Sequence, residues 1–185
     1  MYDIILADPP WTYKVWSKKG AGRTASSHYP VMDLEDIKSL PIKNLTNDNC
    51  ALFLWATWPN ILEAFEVIEA WGFTYRTKAF TWVKKNKIAD SLFWGMGYYT
   101  RANDEPCLLG VKGSMPVASK GVHSVIISPI REHSQKPDEI YSLINELYPN
   151  TKRLELFARD KKEGWDVWGN EVNSDIELKG DIKNE

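Results

Sequence analysis

A chain of 185 residues, 43% hydrophobic and with nine tryptophans, is long enough for one domain with a full core, which excludes a disordered protein. Its formal charge of −2 excludes the strong basic excess of a stand-alone duplex binder, because phosphate contacts supply most non-specific affinity. No apolar stretch approaches membrane-spanning length and the start Met1-Tyr2-Asp3 has no signal-peptide pattern, so a cytoplasmic protein without a membrane partner is expected.

In chain order, Ile4-Ile5-Leu6-Ala7 reads as a buried strand, and Asp8-Pro9-Pro10-Trp11 sits where that strand leaves the sheet. A polar loop rich in Lys, Gly and Ser runs from Thr12 to about Pro30. Asp33, with Asp36 three positions on, reads as the N-cap of a short helix that stops before Pro41. The apolar run from Cys50 to Ala56 predicts a central strand. Pro59 suits the first turn of the next helix, which carries Ile61, Phe65 and Ile68 on one stripe, Glu63, Glu66 and Glu69 on another, and ends at Gly72. Phe73 to Val83 alternates as a strand, and Lys84 to Tyr99, with Gly95 and Gly97, reads as a long mobile loop. Pro106 to Val111 and Val125 to Ile127 are further strands. Pro137 opens a helix with Ile140, Leu143, Ile144 and Leu147 inward, and Leu154 to Phe157 is the strand after it. The chain becomes polar and aperiodic from Asn173, which predicts one domain over 1–172 and a frayed polar tail over 173–185. Strands and helices that alternate in this way predict an open α/β sheet with helices on both faces. Ligands of such sheets bind beyond the carboxyl ends of strands, where Asp8 and Phe157 would both lie.

The tetrapeptide carries the chemistry. Proline fixes its own backbone, lacks an N–H and holds the preceding residue extended. Asp8 and Pro9 are therefore expected to form a stiff row of acceptors, a carboxylate with exposed carbonyls, beside the Trp11 indole. Such a row suits a flat ligand with an amino group. Two acceptors on the amino hydrogens of adenine would turn the delocalised lone pair toward an incoming methyl group, while Trp11 stacks on the base, an interaction worth about 1–3 kcal/mol. The bland reading is an acidic turn ahead of a core tryptophan, but this four-residue word arises by chance in about one chain of this length per few thousand. Cys50 and Cys107 lie in apolar runs and read as two buried free thiols. His28, His123 and His133 are scattered, so no metal site is expected. Lys14, Lys18, Lys19 and Arg23 form one local basic patch and Lys84, Lys85 and Lys87 another, each readable as nucleic-acid contact or as solvated surface.

These residues resemble a known family, the MT-A-seventy-like N(6)-adenine methyltransferases. The resemblance runs from Asp8-Pro9-Pro10-Trp11 through His28-Tyr29, Leu52 to Thr57, Trp71-Gly72-Phe73 and Trp82-Val83-Lys84. It continues through Glu105, Leu108-Leu109-Gly110, His133 to Pro137 and Leu154 to Arg159, and ends at Trp165 to Asn170. It implies a Rossmann-like fold with an open, mostly parallel sheet, in which the catalytic motif precedes the cofactor-binding strand, and S-adenosylmethionine as cofactor. Carried over by position, Asp8 and Pro9 with Pro10 would hold the target amino group and Trp11 would stack on the base. Tyr29, Glu105 and Ser134 would line the adenine pocket. Lys136 would lie near the methionyl carboxylate and the substrate, Phe157 and Arg159 around the adenosyl and ribose parts, and Asn170 and Glu171 would complete the cofactor wall, with Asp8 touching cofactor as well as base. Taken singly, Phe157 reads as core, Arg159 as a surface charge and Tyr29 as loop packing. The chain departs from many other amino-methyltransferases at Phe157-Ala158-Arg159-Asp160, which lacks their paired glycines.

The resemblance makes nucleic acid the partner. The small size is similar to that of bacterial or phage members, for which DNA rather than RNA is the expected target. A homodimer or heterodimer would add a second basic patch. A non-catalytic partner subunit of the same fold, and methylation of a small molecule or protein, are the competing readings.

Overall fold

The computed structural model describes residues 1–12, 32–97, 99–131 and 135–178. Strand β1 (Tyr2–Ala7) is followed by helix α1 (Leu34–Ser39), β2 (Thr46–Trp55), α2 (Ile61–Ala70), β3 (Thr74–Lys85) and β4 (Asp104–Lys112). Then come β5 (Val125–Pro129), α3 (Glu139–Leu147), β6 (Arg153–Leu156) and β7 (Asp166–Trp168). The strands form one sheet in the order β5-β3-β4-β2-β1-β6-β7. β1 pairs in parallel with β2 and β6, β6 with β7, and β3 with β5, whereas β4 runs antiparallel to β2 and β3. This is the expected α/β Rossmann-like fold, mostly parallel with an antiparallel strand inside it.

β1 and β2 are apolar on both faces because both faces are covered. Ile5 and Ala7 with Leu52 and Leu54 pack toward Ile37 of α1 and Ala64, Val67 and Ile68 of α2. Ile4 and Leu6 with Ala51, Phe53 and Trp55 pack toward Ile140 and Ile144 of α3. Each fully buried Ile or Leu contributes about 1.5–3 kcal/mol relative to exposure, so the alternation of β1 and β2 holds the helices in place on both faces. The two cysteines obey the same alternation. Cys50 and Cys107 fall in opposite clusters, both buried and unpaired, and burial pushes the Cys50 thiol up to about 12.

Several elements differ in detail from the sequence reading. Phe65 is 36% exposed and packs edge-on against Tyr75, while Ala64, Val67 and Ile68 form the inner stripe of α2. A small residue at the centre of the stripe lets the helix approach the sheet, and Phe65 is turned to its rim. Asp33 occupies the N-cap of α1 without a side-chain cap bond, its carbonyl accepting from the Ile37 N–H instead. Gly72, at φ +83°, stops α2 as expected. β3 extends to Lys85 and so takes the first two residues of the expected loop. The loop folds back on itself, with the Phe93 N–H on the Lys84 carbonyl and the Gly95 N–H on the Ala102 carbonyl, both at 2.8 Å. β7 has three residues, too few to show a period. Residues 173–178, expected to fray, dock instead: Asp175 accepts the Val167 N–H at 3.0 Å and pairs with Lys161, and Ile176 and Leu178 pack on the core.

The register decides where a ligand can sit. Ala7 pairs with both Leu54 and Leu156, so Asp8 and Phe157 leave the sheet side by side, next to Trp55 at the end of β2. The chain winds to one face between β1 and β2 and to the other before β6, and the two directions part between β1 and β6. That divergence opens a crevice at the carboxyl ends of the strands.

Candidate active site

Asp8 stands at the mouth of this crevice. The two residues after it turn back more sharply than their sequence suggested. The Trp11 N–H donates to the Pro9 carbonyl at 2.8 Å and the Met32 N–H to the Pro10 carbonyl at 3.2 Å, so these carbonyls are not the unengaged row expected. Each carbonyl keeps a second lone pair. Trp11 is 5% exposed, and its indole N–H donates to the Trp55 carbonyl at 3.1 Å. The ring is therefore a wall anchored in the α1 and α2 layer rather than an open stacking face, because the turn at Pro9 swings it inward.

A line of alternating charges crosses the site. Lys136 Nζ lies 2.8 Å from Asp8 Oδ2 and 3.3 Å from Glu105 Oε2, and Glu105 Oε1 lies 2.5 Å from Lys84 Nζ. Lys136 also sits 5.8 Å from the Trp55 ring centre. Burial pushes the Asp8 carboxyl above its ordinary range and Lys136 pulls it part of the way back. At Glu105 burial acts in the same upward sense, but Lys136 and Lys84 outweigh it and the group is held below its usual value. Lys136 is raised: burial opposes its charge, and the two carboxylates prevail. Oδ1 of Asp8 takes no hydrogen bond among the described residues.

Next to Asp8, an open cleft of about 500 Å³, its solvent-facing mouth included, is lined by Asp8, Lys136, Tyr141, Glu155, Phe157 and Arg159 among others. Phe157 takes a left-handed backbone angle, φ +61°, and its ring meets Trp168 edge-on at 5.4 Å. A non-glycine residue at positive φ is strained, and such strain collects at functional turns. Gly169 presses against this turn. A Cβ there would lie 2.2 Å from the Ala158 carbonyl oxygen, so only glycine allows the approach. Arg159 Nε pairs with Glu171 Oε1 at 3.0 Å, which brings two of the expected wall residues together, and Asn170 is exposed beside Glu171. Tyr29 and Ser134 lie outside the described residues, as do His28, His133 and the basic patch from Lys14 to Arg23.

Sequence reasoning missed Glu155 and Tyr141. The Tyr141 hydroxyl lies 3.0 Å from each oxygen of Glu155, and burial pushes that carboxyl up to about 7 against the pull of this hydrogen bond. The signal was an acid between the buried Leu154 and Leu156, on the half-buried face of the strand. Lys84 was read as patch or loop, although it lies two places after the buried Trp82 in a strand.

The model of the MT-A70 family matches residues 2–171. This chain belongs to the MT-A70 family. It is 32% identical over 188 residues to the Type II methyltransferase M.MunI of Mycoplasma sp., covering 92% of this chain and 78% of that protein. A probable N(6)-adenosine-methyltransferase MT-A70-like protein of Oryza sativa subsp. japonica is 32% identical over 176 residues, 93% of this chain and 23% of its own length. The N(6)-adenosine-methyltransferase catalytic subunit METTL3 of Homo sapiens is 31% identical over 176 residues, 93% of this chain and 28% of its own length. The chain thus spans most of the mycoplasma relative and about a quarter of the plant and human ones. As an MT-A70 protein it is a methyltransferase, and N(6)-adenine methylation is the activity that the family and its relatives support.

Proposed function

We propose that this MT-A70 protein uses S-adenosylmethionine to methylate the 6-amino group of adenine in DNA. The observation that supports the reading is the adjacency of Asp8 with its turn and the Phe157–Arg159 turn, at neighbouring strand ends that share one open cleft. The donor set fits the cofactor. Asp8 and Glu155 offer anions to a sulfonium and an ammonium, Lys136 and Arg159 offer cations to a carboxylate, and Phe157 offers an aromatic face to adenine. Glu171 holds Arg159 at the edge of the same cleft. When bound, S-adenosylmethionine supplies a methyl group on a sulfonium, an electrophile open to direct attack by a neutral nitrogen.

The protein's part is orientation and charge. Asp8 Oδ1 accepts one hydrogen of the amino group, and the second lone pair of the Pro9 carbonyl accepts the other. The nitrogen lone pair then turns out of the ring plane. Positioning of this kind supplies several kcal/mol of a bimolecular barrier. Lys136 holds the other oxygen of Asp8, which fixes the carboxylate and favours the charged form that orients the amino group and takes the proton that the methylated, cationic nitrogen sheds. An adenine in a duplex must first leave the stack.

DNA is favoured by the length correspondence with the Type II methyltransferase. The competing substrate, RNA, is supported by the equal identity to the N(6)-adenosine-methyltransferases. The test is incubation with labelled S-adenosylmethionine and parallel panels of single-stranded DNA, duplex DNA and RNA, followed by digestion to nucleosides. Label in N(6)-methyldeoxyadenosine, more on single-stranded or mismatched targets, supports the proposal. Label confined to RNA overturns the choice of DNA, and no label on any panel supports the non-catalytic partner subunit.

A further inference from the structure

The charged line through the site reaches a residue one strand further out. Lys84, near the end of β3, places its ammonium 2.5 Å from Glu105 Oε1 and 5.0 Å from the centre of the Trp82 ring. Its side chain is 19% exposed, so the charge sits between an indole and a carboxylate instead of in open solvent. Lys85 differs: it pairs with Asp90, whose side chain is 92% exposed. From β3 to β1 the signs alternate through Lys84, Glu105, Lys136 and Asp8, and the four charges sum to zero.

We propose that Lys84 is a positioning residue: it holds Oε1 of Glu105 so that Oε2 stays on Lys136, and through Lys136 it fixes the Asp8 carboxylate that meets the amino group. The inference rests on the methyl-transfer reading of the site. Without Lys84, one ammonium serves two part-buried carboxylates. Glu105 then takes up a proton more readily, and Lys136 loses a carboxylate anchor. The other groups around the line stay in place: Cys107 of β4, Glu155 of β6, Tyr141 of α3 and Arg159 beyond β6 all bear on Asp8. Among the described residues, Lys136 and Lys84 are the cations that act on Glu105.

A second use of Lys84 is phosphate contact as part of the basic patch with Lys85 and Lys87, and the two uses separate in kinetics. Positioning predicts that Lys84→Gln lowers kcat about 10- to 100-fold, the scale of a small misplacement of a reacting group. KM for an adenine-containing oligonucleotide should stay within about twofold. Lys84→Arg restores most of kcat, and Lys85→Gln leaves kcat at the wild-type value. A raised KM with unchanged kcat, shared by Lys84→Gln and Lys85→Gln, overturns the proposal in favour of the patch. A second measurement needs no turnover. In protein labelled with ¹³C at glutamate carboxyls, with Glu105 assigned through Glu105→Gln, the titration midpoint of Glu105 should rise by about 1–3 pH units in Lys84→Gln. An unmoved midpoint overturns the proposal. A wild type inactive on every oligonucleotide overturns the methyl-transfer reading instead, and the Glu105 midpoint then decides by itself whether Lys84 holds Glu105.

Discussion

Replacing Lys136 with methionine tests the electrostatic frame of the site through stability alone. Methionine keeps a side chain of similar length but loses the charge over the Trp55 ring and leaves Asp8 and Glu105 without the ammonium between them. The side chains of Lys136, Glu105 and Asp8 are 13%, 17% and 28% exposed, so solvent screens the loss only in part. Removing one partner of a buried pair costs about 3–5 kcal/mol, and the residual exposure places this case near 3 kcal/mol at pH 8. For a domain of this size that is a fall of about 6–12 °C in Tm. The sign of the pH dependence follows from the shifts. The folded pKa of Glu105 is depressed, so its contribution is present above the ordinary carboxylate value and is lost as pH falls through the folded value. Asp8 is raised, so its charge costs stability above the ordinary value and the cost is relieved as pH falls. Lys136 is raised and stays charged across the working range. Without it Asp8 rises further and Glu105 loses most of what depresses it, so the deficit of Lys136→Met is largest near pH 8 and shrinks toward pH 5. Urea unfolding followed by tryptophan fluorescence at the two pH values measures it. A deficit that is the same at both, or under about 1 kcal/mol at pH 8, refutes the buried-cluster account.

Asp8→Ala should abolish methyl transfer in the nucleoside assay while circular dichroism and melting stay close to wild type, and Asp8→Asn should keep residual activity because its carbonyl still accepts a hydrogen bond; full turnover by Asp8→Ala removes the assignment. Trp11→Ala should lose about 3–5 kcal/mol in urea unfolding as well as activity, because the ring is buried and its N–H is bonded to the Trp55 carbonyl. A Trp11→Ala protein of wild-type stability with impaired binding would return the ring to a stacking role. S-adenosylhomocysteine at one hundred times its Kd should stabilise the wild type by about 2.7 kcal/mol, and Phe157→Ala less at the same concentration. Its affinity by calorimetry should rise from pH 6 to pH 8 as Glu155, pushed up to about 7 by burial, ionises beside the ligand's ammonium, and Glu155→Gln should flatten that rise.

What the sequence by itself determined lies where local chemistry suffices. The apolar runs at Ile4–Ala7 and Cys50–Ala56 marked the central strands, because a strand covered on both faces has no polar alternation to hide it. The positions of Asp8 and Phe157 at strand ends followed from the same pattern, and the Asp8-Pro9-Pro10-Trp11 word pointed to an amino-group acceptor. Tertiary structure decided what depends on contacts distant in sequence. Lys136 is 128 residues from Asp8, and nothing local to either residue shows that one ammonium joins Asp8 to Glu105. Only the sheet order turns Lys84 from a surface lysine into the outer end of that line, because β3 lies beside β4 and β4 beside β2. The closing of the Pro9 carbonyl by the Trp11 N–H, and the burial of Trp11 with it, depended on a turn that two prolines permit but do not specify. Glu155 was hidden for the converse reason. An acid in an apolar strand reads as an exception until α3 brings a tyrosine to it, and burial then gives it a proton affinity that no sequence pattern carries.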